Sequence, residues 1–318
     1  MPGRIALKAI LAMVAAILTM ASGPAMAQQI SKEELIYLTP AWQGERFEDG
    51  RPKVSDDILE RMKLVTLEEA WAVLRGERFN YQFDGDWKVV HPDTVLVGRA
   101  VTATFMPGRP DIHAQIDKRG RAEGRSGSQN SWPIDMLKPG DVYVADQFDA
   151  YVDGPTVGDN LANAIYGNSG NGFVYYGPIR DIAGMKKMDN FAVYYRSYTP
   201  THHNPAGNLN TTLVGINQPT RIGDATVMPG DVVLARDGAV LFIPPQYAQR
   251  IVETSEVVRL RDLFGHERLR EGKYTAGQID TRWTDDIERD FSQWMEKNAK
   301  TLPVSEERVR ELLKTRTY

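Results

Sequence analysis

The spacing of apolar residues predicts helices in several parts of the chain. Thr66, with Glu69 three residues later, forms a capping box ahead of an apolar series at helical spacing. The same spacing predicts helices over residues 160–166 and from 247 to about 270. Beyond Gly277 a further apolar set recurs every three or four residues: Trp283, Ile287, Phe291, Trp294 and Met295, then Val309, Leu312 and Leu313. These C-terminal helices are expected to dock on the body of the protein or on a neighbouring subunit.

Apolar runs with strand character lie between the predicted helices. Residues 94–105 alternate in polarity through Gly98, which we interpret as a bulge. Residues 138–142 and 228–232 are near copies of each other, and each predicts a Pro-Gly turn that leads into a buried strand. Further strands are predicted over residues 172–176, 191–195 and 239–243. Strands that alternate with helices indicate an α/β fold.

Two segments follow neither pattern. Residues 28–53 are polar and interrupted by Gly and Pro, so we predict an extended N-terminal arm. Residues 107–131 are rich in Gly, Arg and Ser. We interpret them as a long loop or a poorly formed helix, and therefore as a lid or a mobile segment.

The N-terminus has the pattern of an export signal. Arg4 and Lys8 precede an apolar run over residues 9–21, and the small-x-small triplet Ala25-Met26-Ala27 follows. A run of about 13 residues is shorter than the roughly 20 that a spanning helix needs, which disfavours the alternative of an N-terminal membrane anchor. We therefore predict cleavage after Ala27, no stable membrane anchor after cleavage, and a periplasmic or secreted protein.

Composition narrows the possible chemistry. The 318 residues are 42% apolar and 25% charged, ordinary values for a globular protein with a buried core. A formal net charge of −4 gives no electrostatic footprint for DNA or RNA, so we expect no nucleic-acid partner. The sequence has no cysteine, which excludes thiol catalysis, thiolate zinc sites and iron–sulfur clusters. Any metal must bind oxygen or imidazole ligands.

Candidate catalytic residues lie at one helix start and one strand end. Asp159 and Asn160 precede the predicted helix, and either suits its N-cap. A helix start can hold a carboxylate on its free N–H groups, although an acid that merely caps its helix is the simpler alternative. After twenty intervening residues, Arg180 and Asp181 follow a predicted strand, where sites form in α/β folds. The alternative for this second pair is a surface ion pair of little energetic worth.

This arrangement resembles the signature of the metal-dependent pyruvate aldolases of the RraA-like family, named for the regulator of ribonuclease activity A. The signature consists of Asp159, twenty residues, and then Arg180-Asp181. The resemblance extends to neighbouring segments in the same order, namely residues 138–142, 171–174, 227–233, 237–240 and 243–244. It runs approximately from Ser55 to Gly272.

The resemblance implies a swivelling α/β/β domain that assembles as a homotrimer or homohexamer, with the site at a subunit boundary. It also implies that Asp181 binds a divalent cation, Mg²⁺ or Mn²⁺, largely through water. Arg180 would bind the oxo acid and stabilise an enolate. Backbone N–H groups near Asn160 and Leu161 would bind the substrate carboxylate, while Asp159 would position or deprotonate a metal-bound water.

The implied function is that of an exported class II (metal-dependent) aldolase or oxo-acid lyase. It would cleave a 4-hydroxy- or 4-carboxy-2-oxo acid, by retro-aldol reaction or decarboxylation, through a metal-stabilised pyruvate enolate. Two alternatives stay open: a non-catalytic binding or regulatory protein of the same family, and an enzyme of altered chemistry on the same metal site. Retention of Asp159 and of Arg180-Asp181 disfavours the regulatory alternative.

The resemblance also sets the predicted domain boundaries. We predict a signal peptide (1–27), an N-terminal arm (28–53), a catalytic α/β domain (54–275) and a C-terminal helical extension (276–318).

The chain departs from the family pattern at two places. Tyr176-Gly177 stands where the family commonly has Asp-Gly, and Arg236-Asp237-Gly238 stands where it has Asp-Asp-Gly. An acid from an adjacent subunit is also implicated in this family, and Glu253, Glu256 and Glu267 are the candidates here.

Histidine and tyrosine clusters offer weaker hypotheses. His202 and His203 are adjacent, and adjacent side chains on a strand point apart, so a polar loop is the simpler interpretation. The alternative is that one histidine lines the pocket as an acid or base. An aromatic set fits strand packing better than a cage for an aromatic substrate. It comprises Tyr175, Tyr176, Tyr194, Tyr195 and Tyr198.

Overall fold

The computed structural model describes residues 28–149, 157–201 and 210–314. The predicted signal peptide and the His202-His203 pair lie outside these residues. The helices are α1 (Lys32–Leu38), α2 (Asp56–Met62), α3 (Leu67–Gly76), α4 (Pro110–Ala122), α5 (Asp159–Ser169), α6 (Ile182–Met185), α7 (Pro245–Arg270), α8 (Ala276–Ile279), α9 (Asp285–Asn298) and α10 (Glu306–Leu312). The strands are β1 (Phe83–Asp84), β2 (Lys88–Val90), β3 (Leu96–Pro107), β4 (Asp141–Asp146), β5 (Phe173–Ile179), β6 (Val193–Tyr198), β7 (Thr211–Ile216), β8 (Thr220–Ile222), β9 (Ala225–Val227), β10 (Val232–Arg236) and β11 (Ala239–Ile243). The predicted α/β class is confirmed.

A nine-stranded mixed sheet forms the centre of the molecule. Its strand order is β1-β11-β10-β3-β4-β5-β6-β2, and β7 pairs with the second half of β3. The neighbouring pairs β3/β4, β4/β5 and β5/β6 are parallel. The carboxyl ends of β4, β5 and β6 therefore lie at one edge of the sheet, where α/β proteins place their sites.

The two faces of the sheet are covered differently. On one face, α5 and α6 bury Ile165 and Met185 against Phe173 and its neighbours, while α2, α3 and the first half of α7 cover the β10–β11 end. On the other face, the small β8–β9 sheet and Trp87 pack against alternate residues of the same strands. The result is an α/β/β layering, with helices on one side and a second sheet on the other.

The N-terminal arm is more ordered than its composition predicts. Ser31 caps α1 by accepting the Glu34 N–H, a start signal within a segment that we predicted to be extended throughout. Farther along, the Arg51 side chain is fully buried and donates to both carboxylate oxygens of Asp141, at 3.1 Å each. The arm thus contributes a charged side chain to the interior of the domain.

Two further predictions need correction. Gly98 is not a bulge, because β3 pairs regularly with β10 there; the irregularity lies between Thr104 and Phe105, opposite β7. Gly98 instead allows a close approach, since a Cβ at this position would lie 2.6 Å from the Gly140 carbonyl oxygen. Residues 110–122 form a regular helix, neither a long loop nor a poorly formed helix, with Pro110 at its first turn, where proline is well tolerated.

The repeated Pro-Gly-Asp segments form matching turns. Gly140 and Gly230 have φ angles of 80° and 88°, which glycine adopts without strain. In each turn the following aspartate accepts a backbone N–H from three residues earlier: Asp141 from Lys138, and Asp231 from Met228. The two aspartates differ in their electrostatic environment. Arg51 neutralises Asp141, whereas burial raises the pKa of Asp231 to about 7 despite the Met228 hydrogen bond.

Asp231 is therefore expected to make stability depend on pH. Its pKa in the folded state exceeds the unfolded value, so the folded protein binds more protons between about pH 4 and 7, and stability falls as pH rises through that range. Asp231→Asn keeps an acceptor for the Met228 N–H but has no charge to bury. The difference in the free energy of unfolding between variant and wild type, measured by urea denaturation, should shift in favour of the variant by about 2–3 kcal/mol from pH 5 to pH 8. If the difference in the free energy of unfolding between the two proteins did not change across this range, Asp231 would not have a raised pKa in the folded protein.

The C-terminal extension forms a small core of its own on the second half of α7. Phe264 of α7 packs against Trp283 and Phe291, with ring centroids 5.2 and 5.3 Å apart. The buried Glu256 carboxylate joins this region to the body, because one oxygen accepts from Arg61 of α2 and the other from Arg308 of α10. Within the described ranges, no helix is both long enough and apolar enough to span a bilayer.

Candidate active site

Helix α5 begins one residue earlier than the sequence suggests. Gly158, in an extended conformation, is the N-cap, and Asp159 is the first helical residue. Neither Asp159 nor Asn160 caps the helix, so the N-cap prediction is wrong. Position 158 has no room for a side chain, because a Cβ there would lie 2.7 Å from Cζ of Arg180 and would also meet the Asp181 carboxylate. Because Asp159 does not cap the helix, its carboxylate is available for other contacts.

Arg180 and Asp181 connect the end of β5 to the start of α6. The Arg180 N–H donates to the Val157 carbonyl at 3.3 Å, which holds this connection against the segment that leads into α5. Asp181 is the N-cap of α6 and has a φ of 57°. This left-handed conformation is uncommon outside glycine, and non-glycine residues that adopt it cluster at functional sites.

The arginine is only partly satisfied by its neighbour. Arg180 Nη1 donates to Asp181 Oδ2, and both side chains keep some exposure, 29% and 36% respectively. Arg180 Nε, in contrast, is buried and has no hydrogen-bond partner among the described residues. A buried donor without a partner is costly. The exposed part of the same guanidinium is the part suited to an oxygen atom of a ligand.

The three charged residues of the predicted signature come together between the starts of α5 and α6. Asp159 lies against Gly184 of α6, and Arg180 and Asp181 lie against Gly158 at the start of α5. Asn160 and Leu161 occupy the first turn of α5, where main-chain N–H groups lack intrahelical partners and the helix dipole is positive. The site therefore combines two carboxylates, one guanidinium and the positive end of a helix.

The donor set suits a hard divalent cation with a water-rich shell. Mg²⁺ commonly binds proteins through one or two carboxylates and keeps several waters, and Asp181 and Asp159 provide two carboxylates here. No cluster of three or more acidic or histidine side chains suited to a metal occurs in the described parts of the chain. The residues at this site thus fit a cation held mainly by Asp181, with few protein ligands.

Several other candidates lie elsewhere. Tyr176 points away from α5, because its ring packs edge-on against Trp87 on the opposite face of the sheet. Asp237 and Gly238 form the tight turn between β10 and β11. The tyrosines of the predicted aromatic set differ in burial. Tyr175 and Tyr194 are buried in the strand packing that we expected, whereas Tyr198 is 49% exposed.

The three glutamates considered as donors to a neighbouring subunit have contacts within their own chain. Glu256 binds Arg61 and Arg308, as described above, and Glu267 accepts the Trp294 indole N–H at 3.0 Å. Glu253 accepts from Gln249 on the exposed side of α7. Two of the three therefore hold the C-terminal extension in place.

Sequence reasoning missed Gly158 and Gly184. Each lies under a charged side chain of the site, and only the tertiary contacts reveal this role. The only trace of this role in the sequence is the position of the two glycines: Gly158 directly precedes Asp159, and Gly184 follows three residues after Asp181.

The chain matches a known protein-family model. The family model described as RraA-like, Aldolase/RraA, matches residues 53–241, which is more than half of the chain and includes the whole site. Protein DlpA of Legionella pneumophila is 26% identical over 168 residues. That alignment covers 52% of this chain and 24% of the relative, so the chain spans about a quarter of that protein's length.

Solved structures share the fold. RraAS2 from Streptomyces coelicolor, described as an unusual member of the RNase ES inhibitor RraA protein family, aligns with a TM-score of 0.52 and 23% identity, over 70% of this chain and 97% of its own. An uncharacterized protein from Pseudomonas syringae pv. tomato aligns with a TM-score of 0.57 and 18% identity, over 72% of this chain and 100% of its own. Identities this low establish similarity of fold alone.

Proposed function

Because this chain belongs to the RraA-like family, which includes class II aldolases as well as non-catalytic inhibitors, we propose that it is a divalent-metal-dependent carbon–carbon lyase of a 2-oxo acid. The observation that carries the proposal is the convergence of Asp159, Arg180 and Asp181 between two helix starts. A purely regulatory role does not require this set of charges. The substrate class is a 4-hydroxy- or 4-carboxy-2-oxo acid, cleaved by retro-aldol reaction or by decarboxylation.

The protein groups have distinct tasks in this proposal. The first turn of α5, at Asn160 and Leu161, binds the substrate carboxylate through N–H groups and the helix dipole. The exposed part of the Arg180 guanidinium donates to the oxygen at carbon 2 and stabilises negative charge as that oxygen becomes an enolate oxygen. Asp159 exchanges the proton that leaves the 4-hydroxyl or returns to the product. Breaking the bond between carbons 3 and 4 leaves its electron pair on the pyruvate fragment, which a proton then neutralises.

A divalent cation, Mg²⁺ or Mn²⁺, would be held by Asp181 with Asp159 beside it. When bound, it would supply Lewis-acid polarisation of the 2-oxo group. The ion pair between Arg180 and Asp181 keeps the guanidinium next to this carboxylate, so that the guanidinium and a cation held by Asp181 would lie near the same substrate oxygen.

We also propose an exported, oligomeric enzyme. The export pattern of residues 1–27 supports a periplasmic or secreted location, and the family resemblance supports a homotrimer or homohexamer. The oligomeric state is measurable by light scattering on the mature chain, and the location by fractionation of cells that produce the full-length chain.

Metal removal tests the proposed function. The purified mature chain is expected to release pyruvate from oxaloacetate or from 4-hydroxy-4-methyl-2-oxoglutarate in the presence of Mg²⁺ or Mn²⁺. EDTA should reduce the rate to the background measured without protein, and excess Mg²⁺ should restore it. Rates that do not change with EDTA would exclude the metal-dependent reaction. Complete inactivity of a folded oligomer with every divalent metal tried would favour altered chemistry or a binding role.

A further inference from the structure

The starts of α5 and α6 are packed against each other through a reciprocal pair of glycines. At one contact, a Cβ on Gly184 of α6 would lie 2.8 Å from Cβ and 3.0 Å from Cγ of Asp159, and would also meet its carboxylate oxygen. At the other contact, a Cβ on Gly158 would lie 2.7 Å from Cζ of Arg180. Each glycine thus lies directly under a charged side chain carried by the other helix start.

We propose that Gly184 is a positioning residue for Asp159: its lack of a side chain fixes where the Asp159 carboxylate lies relative to Arg180 and Asp181. This inference rests on the proposed function for its catalytic consequence, although the packing itself does not depend on any activity. Contacts below 3.0 Å to Cβ of Asp159 cannot be relieved by rotating the carboxylate alone. A methyl group at position 184 must therefore move α6, or the first turn of α5.

Local preference does not explain a glycine at position 184. The residue lies inside helix α6 and has an ordinary helical φ, so alanine would be favoured there by helix propensity. Gly167 of α5 offers a matched comparison, since it is also helical but a Cβ there would meet nothing within 4 Å. The two glycines differ in one respect that matters: only Gly184 lies under a catalytic carboxylate.

A double-mutant cycle on stability tests the contact without any assay of activity. Gly184→Ala should lower Tm by about 2–4 °C, whereas Gly167→Ala should leave Tm unchanged or raise it. Asp159→Gly removes the atoms that a new methyl group would meet, including Cβ. In that background, the additional Gly184→Ala substitution should lower Tm by less than about 1 °C. Equal effects of Gly184→Ala in both backgrounds would overturn the inference.

The kinetic part of the test separates positioning from general packing. Gly184→Ala should reduce kcat for pyruvate release at least tenfold, because small displacements of a catalytic group are costly, while KM changes less than about threefold. Gly167→Ala should keep both constants. If wild type releases no pyruvate, the proposed function fails, yet the stability cycle still decides the packing claim. If wild type is active and Gly184→Ala is equally active, the positioning role is wrong.

Discussion

Asp181→Asn should lower the rate of pyruvate release about a thousandfold and leave Tm within about 2 °C of wild type. Asparagine has nearly the same shape as aspartate and also tolerates the left-handed conformation found at this position, with φ of 57°. The substitution therefore removes the negative charge without straining the backbone. Loss of that charge removes the main proposed cation ligand and leaves the Arg180 guanidinium without its ionic partner.

Asparagine is a sharper test than alanine at this position. Alanine disfavours positive φ, so Asp181→Ala would combine loss of charge with backbone strain of about 1–3 kcal/mol. The matched control is Asp189→Asn, the same chemical change at an exposed aspartate eight residues later, which should keep wild-type kcat and Tm. Titration calorimetry with Mg²⁺ provides a second measurement, because Asp181→Asn should weaken or abolish the binding isotherm. Wild-type turnover by Asp181→Asn would rule out a catalytic role for this carboxylate.

Local signals in the sequence predicted those elements whose cause is local. The capping box of Thr66 and Glu69 is present with both of its hydrogen bonds, because it needs only four consecutive residues. The Pro-Gly-Asp turns are likewise determined within a few residues. The helix over residues 110–122 was predicted only as a poorly formed alternative to a loop because it is strongly polar: among its residues, only Ile116 and Gly120 are buried, so a search for an apolar face gives little signal.

Long-range contacts account for the errors at the site. Asp159 has the side chain of a good N-cap, yet Gly158 takes that position. Position 158 must be a glycine because Arg180 and Asp181 occupy the space where a Cβ would lie, a contact that local sequence does not reveal. The spacing of twenty residues correctly predicted that the two parts come together, since one helix and one strand of the α/β fold separate them. The spacing itself gives no direction for Tyr176; the alternation of β5, which pairs regularly with β4 at this point, places Tyr176 on the face opposite Tyr175.

Arg51→Met is expected to destabilise the domain by about 3–5 kcal/mol, although Arg51 lies in an arm that composition describes as polar and extended. The Arg51 and Asp141 side chains are both 0% exposed. Removing the guanidinium leaves Asp141 with the Lys138 N–H and with Arg99, whose Nε is 3.8 Å away. A buried carboxylate that loses its bidentate partner costs far more than the net gain from forming the pair.

Two comparisons isolate the buried charge as the cause. Arg51→Met combined with Asp141→Asn removes both charges of the pair and should recover a substantial part of the lost stability, measured by urea denaturation of the mature chain. Lys53→Met removes a cation from the same arm, but its partner Glu45 is 76% exposed, so the change should cost less than about 1 kcal/mol. If Arg51→Met behaved like Lys53→Met, the arm would be a loosely attached segment. A large loss specific to Arg51 would instead show that the arm completes the core beneath β4.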